Sequence, residues 1–163
     1  MRIAEYIQDS IVDGPGLRFV LFTQGCPHQC QGCHNPATHD PNGGREEPEE
    51  EIINEMLRNK LTDGLTLSGG EPFSQAEACA VIARAAREAG LNVWSYSGYT
   101  FEELLASDDA NIRELLRLTD VLVDGRFHLP ERTLNLKWRG SWNQRLISVP
   151  DSLAIRSAVL YDK

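Results

Sequence analysis

The sequence is poor in the features that mark a membrane, secreted or nucleic-acid-binding protein. Its longest uninterrupted apolar run, residues 78–83, is six residues, against roughly 18 or more for a transmembrane helix. The start, Met1-Arg2-Ile3-Ala4-Glu5, carries no apolar stretch of the kind that forms a secretory signal. A cytoplasmic address without membrane contact is the expectation. Basic residues are outnumbered, 16 Lys and Arg against 24 Asp and Glu, for a formal net charge of −8, and they do not cluster. Phosphate backbones are gripped by grouped Lys and Arg, so no nucleic-acid partner is expected. The densest charge run is acidic, Glu46-Glu47-Pro48-Glu49-Glu50-Glu51. It suits the solvated first turn of a helix, where Pro is tolerated and carboxylates complement the dipole. Repeats, low-complexity tracts and interdomain linkers are lacking as well. At 163 residues the chain reads as one domain, residues 1–163. It is too short for a closed eight-fold βα barrel of about 250 residues.

What is present is an alternation of strand, loop and helix. Arg18-Phe19-Val20-Leu21-Phe22 is a short apolar run suited to a strand buried on both faces. A helix over residues 48–59 would place Ile53, Met56, Leu57 and Leu61 on one stripe. Leu65-Thr66-Leu67 reads as the second strand, broken by Ser68-Gly69-Gly70-Glu71-Pro72. Ser74 with Glu77 predicts a capping box. The helix it opens would bury Ala78, Val81, Ile82, Ala85, Ala86 and Ala89, and Gly90 would stop it. Residues 92–95 form the third strand, and Thr100 with Glu103 repeats the capping pattern. Ile112, Leu115, Leu116 and Thr119 fall at helical spacing. Residues 121–123 are the fourth strand, ended by Asp124-Gly125, and 146–149 a further one, cut off by Pro150. Such alternation implies an α/β fold with a mostly parallel sheet and right-handed crossovers. Its five or six strands make an incomplete βα barrel. The loops at 26–33, 69–71, 95–98 and 124–125 each follow a strand, so they would meet at one sheet edge, where such folds place active sites.

Cysteine is sparse, at four residues, but unevenly placed. Three fall in Cys26-Pro27-His28-Gln29-Cys30-Gln31-Gly32-Cys33, and Cys79 lies apart. In a reducing compartment such a cluster points to metal rather than to disulfides. Three readings fit the loop. A structural zinc site takes four ligands, with His28, His34 or His39 as the fourth, although zinc ligands usually come as two separated pairs. A redox disulfide would join Cys30 and Cys33 and leave Cys26 unexplained. An iron–sulfur cluster on three thiolates would leave one iron open to a substrate. Cys79, on the flank of the alanine-rich helix, reads as a small buried hydrophobe.

The Cys-x₃-Cys-x₂-Cys loop after the first strand, with Gly69-Gly70-Glu71-Pro72 after the second, resembles the radical S-adenosylmethionine (SAM) superfamily. Val12-Asp13-Gly14-Pro15-Gly16-Leu17-Arg18, Gln24-Gly25-Cys26 and Cys33-His34-Asn35-Pro36 narrow the likeness to the activating enzymes of glycyl-radical proteins. The cysteine loop, Val123-Asp124-Gly125-Arg126-Phe127 and Trp138-Arg139-Gly140-Ser141-Trp142-Asn143-Gln144-Arg145 are similar to the branch that serves anaerobic ribonucleoside-triphosphate reductase. The likeness runs from about Val12 to Arg145, and residues 146–163 carry no recognised motif. Gly32 departs from the wider superfamily, many of whose members place an aromatic residue before the third cysteine.

The resemblance implies a partial barrel of the radical SAM type, with its cluster loop at residues 24–39. Cys26, Cys30 and Cys33 would hold three irons of a [4Fe-4S] cluster, and SAM would chelate the fourth. Reductive cleavage of SAM would give a 5′-deoxyadenosyl radical that takes a Cα hydrogen from a glycine of the reductase. A flavodoxin-type protein would supply the electron. The resemblance further implies that Gly69 and Gly70 let backbone approach the methionine end of SAM and that Glu71 meets its ammonium group. Ser95, Ser97, Asp124 and Arg126 would serve its ribose or carboxylate. Gly32 and His34 join this set, while His28 and His39 face solvent. Residues 138–145 either meet the reductase or cover the cluster. Two rivals stand beside this reading, an activase of a pyruvate formate-lyase-type enzyme and a non-catalytic zinc or iron–sulfur module. Segment 138–145 speaks against the first, and Gly69-Gly70-Glu71-Pro72 against the second.

Overall fold

The computed structural model describes residues 1–162. Among them, seven strands form one sheet in the order β3-β1-β2-β4-β5-β6-β7. They are β1 (Arg2–Ser10), β2 (Arg18–Thr23), β3 (Arg45–Glu46), β4 (Gly64–Gly69), β5 (Asn92–Tyr96), β6 (Val121–Asp124) and β7 (Arg145–Ser148). The helices are α1 (Glu49–Arg58), α2 (Ala76–Glu88), α3 (Phe101–Leu105), α4 (Ala110–Leu118) and α5 (Val149–Ile155). None is long and apolar enough to cross a membrane.

The α/β class is as expected, and the sheet keeps the expected parallel core with antiparallel strands added at its edges. β2, β4, β5 and β6 run parallel, each joined to the next through a helix. β1 and β7 flank this core antiparallel to β2 and β6, and β3 lies antiparallel to β1. Connection length is the reason. Residues 11–17 between β1 and β2 are too few for a parallel crossover, which needs about a dozen or more. No α-helix intervenes between β6 and β7. The sheet ends at β3 and β7 without closing.

Strand parity sorts the two faces. Phe19, Leu21, Leu65, Leu67, Val93 and Leu122 join a core with Ile52, Met56, Ile82, Leu115 and Leu116 of the helices. The alternate residues Trp94, Val121 and Val123 look the other way, with Tyr96, Trp138 and Tyr161 packed near them. α2 lies between α1 and α4. A helix as short as α1, ten residues, is marginal alone in water. Burial of Ile52 and Met56, at about 1.5–3 kcal/mol each, is what holds it.

Details of the helices depart from the expected stripes. Pro48 caps α1 and Glu49, Glu50 and Glu51 fill its first turn, as expected. Its buried residues are Ile52 and Met56, however, and Leu61, past the end, is 77% exposed. The Ser74–Glu77 capping box is not formed. Pro72–Gln75 makes a 3₁₀ turn capped by Glu71, and α2 begins at Ala76. Gln75 turns its side chain to the main chain of Arg2 instead, at 2.9 and 2.7 Å. The buried stripe of α2 is Ala76, Cys79, Ala80, Ile82, Ala83 and Ala86, which puts Cys79 at its centre rather than its flank. The box at Thr100 is present: Oγ1 accepts from the Glu103 N–H at 3.2 Å, and the Glu103 carboxylate accepts from the Thr100 N–H at 2.8 Å. α3 has only five residues, so Thr100→Ala is expected to cost about 1 kcal/mol of stability. Urea denaturation should show this as a lower midpoint with an unchanged slope.

Candidate active site

The sheet face opposite the helices opens into a cavity of about 720 Å³. Phe22, Ser68 and Tyr96 line it from the strands. Cys26, His28, Cys30, Cys33, Gly70, Ser97, Gly98 and Gly125 line it from the loops that follow β2, β4, β5 and β6, and Gly69 from the last position of β4. The convergence expected of those four loops is therefore observed.

All three clustered cysteines face the cavity, each half-buried and unbridged. Among the described residues, no three Cys, His, Asp or Glu side chains lie close enough to hold a single metal ion. Backbone bonds shape the loop: Gly25 N–H donates to the Thr38 carbonyl at 2.7 Å and Cys26 N–H to the His39 carbonyl at 3.2 Å. The Gln24 amide donates to the carbonyls of Ala37 and Asp40 at 2.9 and 2.7 Å. The Asn35 N–H points at the Cys33 Sγ, 3.4 Å away. Burial pushes the Cys26 thiol pKa up, and a hydrogen bond from the His28 backbone pulls it partly back. Three thiols on one loop facing an open cavity suit a [4Fe-4S] cluster, whose irons take Cys thiolates.

Gly69 and Gly70 line the cavity too, but their missing side chains first of all admit backbone. Gly69 has φ +94°, and a Cβ there would lie 2.5 Å from the Thr23 nitrogen. A Cβ on Gly70 would overlap the Gly25 carbonyl oxygen. Two bonds stitch these loops together, Gly70 N–H to the Thr23 carbonyl at 2.8 Å and Glu71 N–H to the Gly25 carbonyl at 2.9 Å.

Glu71 is fully buried and is not among the residues that line the cavity. Its carboxylate accepts from the Ser97 hydroxyl at 2.9 and 3.0 Å, the Gly98 N–H at 2.8 Å and the Phe73 N–H at 3.0 Å. His28 Nε2 lies 2.6 Å from its Oε1. The expectation that His28 faces solvent is thus overturned, since its side chain is 4% exposed. Arg126 Nε donates to His28 Nδ1 at 3.1 Å. An arginine N–H can only donate, so the imidazole proton sits on Nε2 and is donated to Glu71.

A family model described as a 4Fe-4S single cluster domain matches residues 12–147. Over 152 residues the chain is 38% identical to the anaerobic ribonucleoside-triphosphate reductase-activating protein of Vibrio cholerae serotype O1, covering 88% of this chain and 96% of that one. The protein of the same name from Escherichia coli K12 is 35% identical with the same coverage. That of Enterobacteria phage T4 is 35% identical over 151 residues, 87% of this chain and 90% of the phage protein. The chain belongs to this family. Membership of a reductase-activating family with a 4Fe-4S domain agrees with what its motifs implied.

Parity decides where this member of the reductase-activating family puts its strand-end polar residues. Ser95 shares the face of Val93, is fully buried and turns its hydroxyl to the Tyr96 carbonyl at 3.3 Å, away from the cavity. Asp124, also buried, accepts from Arg145 Nε and Nη2 at 3.0 and 2.5 Å and from the Phe101 N–H at 2.8 Å. It ties β6 to β7 and α3 and does not line the cavity. Asp124 and Glu102 in turn raise the Arg145 pKa. Ser97 does line the cavity, with its hydroxyl given to Glu71. Arg126 is exposed and reaches the site only through His28.

His34 lines the cavity with its ring centroid 5.0 Å from that of Phe127. His39, expected in solvent, is half-buried and lines it as well, because the 3₁₀ turn Pro36–Thr38 folds the loop back under Cys26. A Cβ on Gly32 would lie 2.9 Å from Leu129 Cδ1 and 3.4 Å from Phe127 Cε1, so those side chains occupy the space beside the third cysteine. Within segment 138–145, Trp138, Arg139, Gly140 and Gln144 line the cavity, whereas Trp142 is 58% exposed. The Tyr96 hydroxyl donates to the Trp138 carbonyl at 2.8 Å and fixes that segment over the sheet. Asp13, which no local pattern beyond its motif marks, also lines the cavity, and its carboxylate takes the Ser10 hydroxyl.

Proposed function

We propose that this chain activates anaerobic ribonucleoside-triphosphate reductase by making a carbon radical inside its cavity and passing it to a glycine of that partner. A [4Fe-4S] cluster on Cys26, Cys30 and Cys33 would supply the electron that splits SAM into methionine and a 5′-deoxyadenosyl radical able to take the glycine Cα hydrogen. One observation carries the reading: all three thiols face a single cavity of about 720 Å³ walled by the strand-end loops. That volume falls in the range of about 300–1,000 Å³ typical of small-molecule sites. The names of the relatives supply the partner.

The chain's own residues contribute position and seclusion. Gly69, Gly70 and Ser97 offer backbone at the cavity wall, and His34 stands beside the third cysteine. These are the proposed SAM contacts. Gly32, Glu71, Ser95, Asp124 and Arg126 shape the loops around them. Trp138 and Gln144 line the cavity wall, where they would limit water near a reactive intermediate. The unclosed sheet is read as a partial barrel whose open side admits the glycine-bearing segment. A flavodoxin-type protein is the proposed electron donor.

Anaerobic reconstitution with iron and sulfide tests this. The protein is expected to hold about four irons per chain, to release 5′-deoxyadenosine from SAM once reduced by dithionite, and to place a glycyl-radical paramagnetic resonance signal on the reductase. A colourless protein that keeps one zinc and leaves SAM intact would refute it. So would a glycyl signal on another protein with none on the reductase.

A further inference from the structure

We infer that Glu71 and His28 are positioning residues that pin the middle of the cluster loop to the ends of β4, β5 and β6, so that Glu71 holds the loop from beneath and binds no ligand. This rests on the cluster reading of Cys26, Cys30 and Cys33. His28 sits midway between Cys26 and Cys30, two residues from each. Its ring borders the cavity and is held by residues from the three other strand-end loops. Glu71, after β4, takes its Nε2 proton at 2.6 Å. Arg126, after β6, donates to Nδ1 at 3.1 Å. Tyr99, after β5, meets it edge to face with centroids 4.5 Å apart. Gly98 has no side chain, and a Cβ there would lie 2.5 Å from Nε2. One imidazole therefore joins all four loops that follow the parallel strands.

Glu71 has no capacity left for a ligand. An ionised carboxylate offers about four acceptor sites, and Phe73, Ser97, Gly98 and His28 occupy them. A substrate ammonium group would have to evict one of these donors from a fully buried position. The arrangement matches a general habit of metal sites, in which outer partners fix the ligand-bearing segment and their loss costs about 10–100-fold in metal affinity or activity.

The test uses the full chain, reconstituted, with three variants. Gly98→Ala keeps the N–H to Glu71 but its methyl displaces the His28 ring. His28→Ala removes the link, and His28→Gln keeps a donor aimed at Glu71. Loss of iron to a chelator is expected to be about 10-fold faster in His28→Ala and Gly98→Ala, with a changed resonance signature of the reduced cluster and partial rescue in His28→Gln. Glu71→Gln should behave likewise, and combined with His28→Ala should add little to either alone, as expected for two members of one contact. SAM affinity of the iron-loaded fraction of Glu71→Gln should stay as in the parent, because Glu71 does not line the cavity. Parent-like iron retention in His28→Ala and Gly98→Ala would overturn the inference. So would a Glu71→Gln protein that keeps its iron but binds SAM at least about 10-fold more weakly. Should Glu71→Gln fail to fold, as circular dichroism would show, the His28 and Gly98 variants decide alone. A parent chain that takes up no iron would instead refute the cluster reading itself, which separates the two failures.

Discussion

Cys26→Ala, Cys30→Ala and Cys33→Ala should each abolish iron–sulfur absorbance and SAM cleavage, while Cys79→Ala keeps both. The first three thiols are half-buried on one loop and face the cavity. Removing a proposed iron ligand should exceed the roughly 10–100-fold that outer partners cost. Cys79 lies in the opposite layer, fully buried in α2 among Ala76, Ala80 and Ile82. Burial pushes its thiol pKa up to about 12, so it stays protonated where a ligand must be thiolate. Its replacement removes one buried atom and should cost about 1 kcal/mol, the scale of trimming a single methylene from a core. Iron content and visible absorbance of the reconstituted variants check the first part, and urea denaturation of Cys79→Ala the second. Loss of the cluster in Cys79→Ala with retention in any of the other three would overturn the assignment.

The family was legible because its motifs are local: a cysteine loop of fixed spacing and a Gly-Gly-Glu-Pro break. The parallel core was legible because short apolar runs end at Gly or Asp. What escaped depends on distance or on parity. β1 has only Ile3 and Ser10 buried, with exposed Glu5, Ile7 and Asp9 between, so it carries no apolar run to notice. Ser95 sits at a strand end as expected, yet a single step along the pleat separates it from the cavity that Tyr96 lines. Asp124 follows the same rule and is spent on Arg145. His28 looked like a solvated loop residue because nothing local marks its partners. Glu71 is 43 positions away and Arg126 is 98. The start of α2 moved because Gln75 serves Arg2, 73 residues back, a pairing no capping pattern encodes.

Gly70→Ala should destabilise the chain by about 3 kcal/mol even with no cluster or SAM bound. Gly70 is not in the left-handed region, so backbone conformation alone would tolerate Ala. A Gly→Ala change at such a site normally stabilises by about 0.4–1 kcal/mol, because the unfolded chain loses freedom. The sign is set here by what the methyl meets. It would overlap the Gly25 carbonyl oxygen and lie 2.9 Å from the Gly25 carbonyl carbon, and both are backbone that cannot swing aside. Overpacking of this kind costs about 1–3 kcal/mol. Forcing the loops apart also weakens the Gly70–Thr23 and Glu71–Gly25 bonds, at about 1 kcal/mol each. These terms exceed the unfolded-state gain severalfold. If instead the glycine served only to make room for a ligand, the apoprotein would be as stable as the parent or slightly more so. Urea denaturation of the apoprotein therefore separates the two roles by sign. Gly25 directly precedes Cys26, so the displaced loop should also load iron poorly. An apoprotein of parental stability that loads iron normally would show that the β2 and β4 loops do not need this contact.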